Sequence, residues 1–407
     1  MATVAVTGGA LARRPEGARA RDAASAEAAR VAKAPARRER WRMGLEARSM
    51  VLLVAALLAF GLAVLYSASA IVAMQEGKGS MFYMLRQLTG VGVGATVFAV
   101  FAKLDAERFE RWAWPLMGGA LVLMLLCVLP FTESIAPRIH GSRRFLVGGS
   151  LQPSEFAKLA VVAWVSMLVV KKGPRLRRLT KGLLPFLVVV GALAVLAALE
   201  PDLSVAMLFF LQMGIILFAG GVRVGHFVAL GVLAVPLLWH EAERLQYVVL
   251  RMASFLDPGS APEQVSYQLK QSLVAVGSGG PFGRGFGEGL QQYGFLPFPY
   301  SDFIASNIGE EWGFVGLLLL VGAFALYGWL GFRIARQARS PFLRLVAVGL
   351  TTTTVITAYL HIGVVIGLLP TTGLTLPFIS YGRSNLVLSL LMTGVLVNIG
   401  SAKERVV

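Results

Sequence analysis

The sequence has almost no cysteine. Its 407 residues include a single one, Cys127, which falls within an apolar run. One cysteine cannot close a disulfide bond within the chain, and it argues against a metal site built on thiolates. The fold must therefore hold together without a disulfide framework.

Acidic residues are also scarce, with 22 Asp and Glu against 38 Lys and Arg, which gives a formal net charge of +16. Nucleic-acid-binding proteins often show such a balance. However, 56% of the residues are hydrophobic and the mean hydropathy is +0.69, whereas a soluble domain is roughly 45–50% apolar. We therefore expect the bilayer to be the solvent of this chain, and we expect no nucleic acid as a partner.

The first 48 residues lack the long apolar run of a signal peptide. They are rich in Ala and Arg, and we interpret residues 1–48 as a basic, disordered or transiently helical cytoplasmic tail. Such a tail fixes topology and touches anionic membrane lipid; a specific partner-binding role is the alternative. The membrane domain then covers residues 49–402, and residues 403–407 form a cytoplasmic C-terminus.

About ten apolar runs are long enough to cross the membrane, since a span takes about 20 residues and fewer in a bundle. An even number puts both termini on one side, and most Lys and Arg residues fall on that side, which the positive-inside rule makes cytoplasmic. We predict an all-α integral membrane protein with one long extracytoplasmic loop, about residues 241–311, between helices 7 and 8. The predicted spans are 50–73, 83–102, 112–131, 151–170, 183–199, 203–220, 225–240, 312–332, 345–368 and 376–400.

A few basic residues depart from this charge rule. Arg138, Arg143 and Arg144 crowd one outer loop, and others fall within or at the ends of spans, namely Arg86, Lys158 and Arg383. Charge held where topology disfavours it usually marks function.

The motif "QPSEFAK" reads as a helix start, because Pro153 suits a first helical turn. Glu155 and Lys158 are three residues apart on one helical face and can form a pair. Asp202, in a short outer turn, can reach this pair if the neighbouring helices pack together. A satisfied ion pair that lets the helix end dip into the membrane is the plainer interpretation of Glu155 and Lys158.

Asp302 lies in the motif "YSDFIASNIGEEWG" at the end of the long outer loop. Ser301 is a good N-cap residue, and the sequence pattern predicts that a periodic apolar helix starts there. One interpretation makes Asp302 a first-turn acid that stabilises the helix dipole. The other makes it a general base at the boundary of water and membrane. The nearby "GRGFGEG" follows no soluble strand, so we reject a nucleotide site.

A broken helix is predicted in "HIGVVIGLLPTTGLTLPFISYGRSNLV", residues 361–387. Its Pro and Gly interruptions are tolerated at membrane depth where backbone lines a cavity in the protein. Such a cavity can draw polar groups from His361, Tyr381, Arg383 and Ser384. A plain kink between two spans is the alternative.

These motifs together resemble the SEDS family, the shape, elongation, division and sporulation proteins. The resemblance covers residues 50–402 in order, through "GSRRF", "QPSEFAKL", "PDL", "SDFI", "GEEWG" and "GLTLPFISYG". The last motif is more similar to the division subfamily than to the elongation subfamily. The resemblance implies a peptidoglycan glycosyltransferase that polymerises lipid II, a disaccharide-pentapeptide carried on undecaprenyl pyrophosphate.

The resemblance also implies roles for individual residues. Asp302 matches the family's essential aspartate and becomes the expected catalytic base. Glu155, Lys158 and Asp202 match three residues of the family's central cavity, and Arg144 matches an arginine that we assign to the pyrophosphate. Arg143, Tyr381 and Ser384 complete the expected substrate-binding set. Departures from the family pattern, which bear on lipid II contacts, are His140, Glu200, Thr357, His361 and Arg383.

Partners and cofactors follow from the same resemblance. We expect a class B penicillin-binding protein, a transpeptidase, together with divisome membrane proteins, at the septum of the cytoplasmic (inner) membrane. The sequence shows no dedicated metal cage, although a divalent cation, Mg or Mn, can share the pyrophosphate. Two alternatives remain open at this point: a lipid II flippase, which would use the same broken helices and intramembrane charges, and an elongation-type polymerase.

Overall fold

The computed structural model of the chain describes residues 39–138, 142–146, 149, 151–178, 182–227, 246–256 and 263–405. Most of these residues are helical. In chain order the helices are α1 (Leu45–Gln75), α2 (Phe82–Lys103), α3 (Arg108–Val128), α4 (Pro153–Lys172), α5 (Leu184–Leu199), α6 (Leu203–Ala219), α7 (Gln246–Leu256), α8 (Glu263–Ser278), α9 (Ile304–Arg336), α10 (Pro341–Val365) and α11 (Arg383–Ile399).

Six helices, α1 to α4, α9 and α10, are long and apolar enough to cross a membrane, and α5, α6 and α11 are shorter apolar helices. Within the described ranges, these helices correspond to the predicted spans and confirm the all-α membrane fold. The remaining predicted span, residues 225–240, lies almost wholly outside the described residues, which stop at Phe227 and resume at Gln246. The predicted outer loop contains two helices, α7 and α8.

The chain divides into two compact units. The main unit, Met43–Ser401, holds the helices. The small unit comprises Met1–Arg42 and Ala402–Val407. Among the described residues, two strands pair with each other, β1 (Glu39–Met43) and β2 (Ser401–Arg405). The strands were not predicted, and both β1 and the start of α1 lie within the predicted tail. Residues 1–38 and 406–407 lie outside the described residues.

Helix α4 is the centre of the main unit. Its most apolar window is 89% buried inside the protein, against 17% for the window of α2. Trp164 is fully buried and meets Trp114 of α3 and Phe186 of α5 edge-on, with ring centroids 5.4 and 5.8 Å apart. Pro153 occupies the first turn of α4, as predicted. The polar first turn of α4 is therefore surrounded by protein instead of lipid.

Helices α2 and α11 pack closely because α2 presents small residues to α11. A Cβ atom at Gly94 would overlap Leu390, and one at Gly90 would come within 3.2 Å of the Arg383 side chain. Gly92, between them, has open space around its Cα. Small residues four apart allow helices to approach in a membrane, where no hydrophobic force draws them together.

Helix α9 is broken at Gly313, whose φ of 67° and ψ of −161° are not helical. The break separates a short outer half, residues 304–312, from the membrane half, residues 314–336. The predicted span 312–332 matches the membrane half. The predicted N-cap was wrong: α9 begins at Ile304, its N-cap position is Phe303, and no side chain caps it. Ser301 and Asp302 therefore precede the helix, because their backbone is held by another segment.

Candidate active site

Asp302 lies in the turn before α9, and that turn is held by the segment before α11. The Ser380 hydroxyl donates to the Ser301 carbonyl oxygen at 2.7 Å, and the Tyr381 amide donates to the Tyr300 carbonyl oxygen at 2.9 Å. The Asp302 side chain itself is half-buried. The two backbone contacts fix the turn without using the Asp302 carboxylate.

Three tyrosines support this turn. Tyr83 of α2 stacks on Tyr300 with ring centroids 4.5 Å apart, and Tyr381 meets both rings edge-on, at 5.1 and 5.7 Å. The Tyr83 hydroxyl donates to Glu76 at 2.6 Å. Tyr381, predicted to bind substrate, is thus placed beside Asp302 as a support of its backbone.

Arg144 is fixed beside the turn between α5 and α6. Its Nε donates to the Glu200 carbonyl oxygen at 3.0 Å, its Nη2 donates to the Pro201 carbonyl oxygen at 2.5 Å, and its Nη1 lies 3.6 Å from Asp202 Oδ2. The side chain is 25% exposed. Because two donors are occupied by backbone, the guanidinium is oriented before any anion arrives.

Asp202 joins this arginine to the predicted ion pair. Its Oδ1 accepts from the Val205 amide at 3.3 Å and so caps α6. Burial raises the pKa of Asp202, Arg144 opposes the rise, and Lys158 and Glu155 act on it with opposite signs. Lys158 and Glu155 form a buried pair at 2.7 Å, with side chains 3% and 6% exposed. The structure therefore contains the Glu155–Lys158 pair, with Asp202 within electrostatic range of it.

Two of these residues, Arg144 and Asp202, influence the pKa of Asp302. Burial raises the pKa of the Asp302 carboxyl to about 6; Arg144, the Ser301 side chain and Arg251 pull it down, and Asp202 pushes it up. Arg251, on α7, also donates to the Thr371 carbonyl oxygen at 3.0 Å. The sequence reasoning missed Arg251. The available signal was a single Arg in the apolar stretch "YVVLRMASFL", which was assigned to a loop.

Other predicted site residues are engaged elsewhere. Arg143 pairs with Glu133 and donates to the Leu129 carbonyl oxygen at 3.1 Å. The Ser384 hydroxyl accepts from the Gln152 amide at 3.0 Å and so ties α11 to the start of α4. Arg138 is exposed.

The departures from the family pattern are placed as follows. Burial raises the pKa of Glu200 to about 8, with Asp202 adding to the rise and Arg144 opposing it. His361 Nδ1 is 2.8 Å from the Leu374 carbonyl oxygen, and Thr357 donates to the Thr353 carbonyl oxygen within α10. Arg383 packs against Gly90. His140 lies outside the described residues.

Among the residues that the structure describes, no group of three or more His, Cys, Asp or Glu side chains is arranged to hold a metal ion. Cys127 is a buried free thiol. The site therefore contains one half-buried carboxylate, Asp302, with the guanidinium groups of Arg144 and Arg251 within electrostatic range. A carboxylate can take a proton, and guanidinium groups bind phosphate oxygens.

Several known proteins are similar to this chain in sequence. The family described as "Cell cycle protein", FtsW/RodA/SpoVE, matches residues 47–405. A protein named "Probable peptidoglycan glycosyltransferase FtsW" of Trichlorobacter lovleyi is 37% identical over 354 residues, which are 86% of this chain and 92% of that protein. "Stage V sporulation protein E" of Bacillus subtilis is 35% identical over 352 residues, 86% of this chain and 95% of that protein.

Solved structures of other proteins have a similar fold. A chain in the structure described as "Structural coordination of polymerization and crosslinking by a peptidoglycan synthase complex" has a TM-score of 0.73 and 27% identity, and the match covers 86% of this chain and 96% of that one. The rod shape determining protein RodA of Thermus thermophilus has a TM-score of 0.61 and 26% identity, with 86% and 95% covered. Since the family matches residues 47–405 and relatives are 35% and 37% identical over 86% of its length, this chain belongs to the FtsW/RodA/SpoVE family of cell cycle proteins.

Proposed function

We propose that this chain is a peptidoglycan glycosyltransferase that polymerises lipid II on the outer face of the cytoplasmic membrane during cell division. Relatives that carry the names of a peptidoglycan glycosyltransferase and of FtsW support the activity and the division role. The observation that carries the mechanism is the placement of Asp302. It is a half-buried carboxylate on a fixed turn, under the electrostatic influence of Arg144 and Arg251.

Asp302 acts as the general base in this proposal. It takes the proton from the GlcNAc 4-hydroxyl of one lipid II, and the oxygen attacks the anomeric carbon at the lipid-linked end of the growing glycan. The bond from that carbon to the pyrophosphate breaks, and the lipid pyrophosphate leaves. With a pKa of about 6, the carboxyl is mostly ionised at neutral pH yet is a stronger base than an exposed aspartate, as efficient proton transfer requires.

Arg144 and Arg251 stabilise the departing pyrophosphate. Arg144 is oriented by the carbonyl groups of Glu200 and Pro201, and a guanidinium binds phosphate oxygens in bidentate fashion. Such pre-oriented donors contribute more than mobile ones because they need no reorganisation when charge develops. Lys158, which forms a buried pair with Glu155, adds positive charge near Asp202.

In this proposal a divalent cation, Mg²⁺ or Mn²⁺, would bind the pyrophosphate together with the two arginines. Asp202 offers a hard oxygen donor, and substrate phosphate oxygens supply most ligands of Mg²⁺ in many enzymes. The cation would add positive charge on the leaving group. Chelation with EDTA should lower the polymerisation rate, and added Mg²⁺ or Mn²⁺ should restore it; an unchanged rate after complete chelation contradicts this part of the proposal.

A transpeptidase partner of the class B penicillin-binding type fits the proposal, as does a place in the division complex at the septum of the inner membrane. The structural neighbour described as a peptidoglycan synthase complex, in which polymerization is coordinated with crosslinking, supports such a partner. A fluorescent fusion in dividing cells distinguishes the two subfamilies. Midcell rings are expected, and patches along the side wall would favour the elongation role.

The decisive experiment is polymerisation of fluorescent lipid II by purified Asp302→Asn, which keeps side-chain volume and removes the base. A fall of about 10²- to 10⁴-fold is expected, the usual contribution of general base catalysis. Glu133→Gln, an acid in another outer loop that pairs with Arg143, is the matched control and should polymerise normally. Wild-type turnover by Asp302→Asn would refute the assigned base.

A further inference from the structure

The break in α9 at Gly313 is filled by another part of the chain. In a continuous helix the amides of Phe314 and Val315 would donate to the carbonyl oxygens of Glu310 and Glu311, four residues earlier. Here the Phe314 amide donates to the Gly280 oxygen at 2.9 Å, and the Val315 amide donates to the Pro281 oxygen at 3.1 Å.

The two carbonyl groups that lose these amides gain others from the same loop. The Glu310 oxygen accepts from the Arg284 amide at 3.0 Å, and the Glu311 oxygen accepts from the Gly285 amide at 3.1 Å. The loop segment Gly279–Gly285 thus inserts into the helix and replaces both missing hydrogen bonds. We call this arrangement the splice.

The splice leaves no room for side chains at its closest approach. A Cβ atom at Gly283 would overlap the Glu311 carbonyl oxygen, and one at Gly313 would overlap the Gly283 amide and lie 2.7 Å from Pro281. Both residues also have positive φ angles, 82° and 67°, which favour glycine.

Glu310 fastens the far end of the same loop. Its carboxylate accepts from the amides of Leu290 and Gln291 at 2.8 and 3.2 Å, and the residue is only 1% exposed. Burying a carboxylate is costly unless it is hydrogen-bonded in this way. Glu311, the next residue, reaches Ser67 of α1, so the outer half is tied both to the loop and to α1.

The outer half of α9 begins two residues after Asp302, so the turn that holds Asp302 leads directly into it. It has only about two and a half turns, too few to be stable alone, and residues 303–311 are all buried. From Gly313 to Ile304, the first helical residue after the Asp302 turn, the helix extends roughly 13 Å at about 1.5 Å per residue. A tilt of about 4° at the break therefore moves Asp302 by about 1 Å, and a displacement of this size can reduce a rate about 10²-fold.

We propose that the splice, with Gly313 and Glu310 as positioning residues, sets the position of the catalytic carboxylate of Asp302. The inference rests on the proposed role of Asp302 as base. The arginines assigned to the pyrophosphate come from other segments, Arg144 before α4 and Arg251 on α7. Disrupting the splice should therefore lower kcat and leave KM nearly unchanged.

The test compares Gly313→Ala with Gly221→Ala in lipid II polymerisation and in amide hydrogen exchange. Gly221 also has a positive φ, 86°, but a Cβ atom there meets nothing within 4 Å, so it matches the conformational cost without touching the splice. In Gly313→Ala we expect the amides of Arg284, Gly285, Phe314 and Val315 to lose protection and kcat to fall about 10- to 100-fold. Gly221→Ala should retain the wild-type kcat and the protection of these four amides.

Glu310→Gln provides a second variant if Gly313→Ala does not fold. It keeps the volume and one acceptor oxygen, and should lower kcat with KM preserved. Loss of protection at the four amides with wild-type kcat would overturn the inference, as would absence of protection in the wild type. Asp302→Asn separates the two proposals: it should lose turnover with the four amides still protected. Normal turnover with protected amides would refute the base and, with it, the catalytic role of the splice, which would then be only a feature of the fold.

Discussion

At the scale of single residues, the charge of Asp302 depends on its neighbours. Burial raises the pKa of this carboxyl to about 6, and Arg144 is the strongest influence that lowers it. A base must be deprotonated to act, so kcat/KM should rise with pH, with its midpoint at a pH of about 6, and level off above that midpoint. The midpoint of this rise gives the pKa of the base in the free enzyme.

Replacing Arg144 tests the electrostatic assignment. Arg144→Gln removes a positive charge that favours the carboxylate, so the pKa of Asp302 should increase and the midpoint should move to higher pH. Arg144→Lys keeps the charge but loses the bidentate geometry; it should weaken pyrophosphate binding with the midpoint nearly in place. A pH–rate profile of kcat/KM for both variants checks this, and equal midpoints would contradict it.

The buried pair of Glu155 and Lys158 gives a prediction about stability. Lys158→Met leaves an uncompensated buried carboxylate, which typically destabilises a protein by about 3–5 kcal/mol. The double variant Glu155→Gln with Lys158→Met removes the stranded charge and should recover much of that loss. Thermal unfolding in detergent measures both. A single variant as stable as the double would show that the carboxylate is solvated.

Not every residue could be found from the sequence. Asp302 and Arg144 were assigned roles because the motifs that contain them resemble those of the SEDS family, and the Glu155–Lys158 pair was predicted from its spacing on one helical face. Arg251 was missed because its closeness to Asp302 depends on how α7 packs. The helix start at Ser301 was predicted from local cap preference, and it was wrong because contacts with Ser380 and Tyr381 hold that turn extended from the helix.

At the scale of helices, the glycines of α2 make a testable contrast. Gly94→Val should separate α2 from α11, because a Cβ atom at this position overlaps Leu390, while Gly92 is surrounded by open space. We expect Gly94→Val to lower the melting temperature clearly and Gly92→Val to change it little. Thermal unfolding of the two purified variants decides, and equal effects would mean that only β-branching matters.

The helices themselves were largely predictable because an apolar run is a property of neighbouring residues along the chain. The break in α9 was not. Gly313 is one of many glycines in the sequence, and its special role depends on hydrogen bonds with a loop about 30 residues earlier, which no local pattern encodes. The strands β1 and β2 were missed for the same reason, since each needs a partner from the opposite end of the chain.

At the scale of the whole molecule, the charge distribution predicts which loops face the cytoplasm. Glu288, in the outer loop, and Arg175, between α4 and α5, are both exposed. In a Cys127→Ser background, a membrane-impermeant maleimide applied to spheroplasts should label Glu288→Cys but not Arg175→Cys. Permeabilised cells should give both. Labelling of Arg175→Cys in intact spheroplasts would reverse the predicted topology.

The burial of α4 has a consequence for biogenesis. The most apolar window of this helix is 89% buried inside the protein, and its first two turns carry Glu155 and Lys158. Placing a segment with such charges in lipid on its own is energetically unfavourable. We therefore expect α4 to become stable in the membrane only when the helices that enclose it are also in place. On this view, membrane integration and tertiary folding of this helix are one process rather than two successive stages.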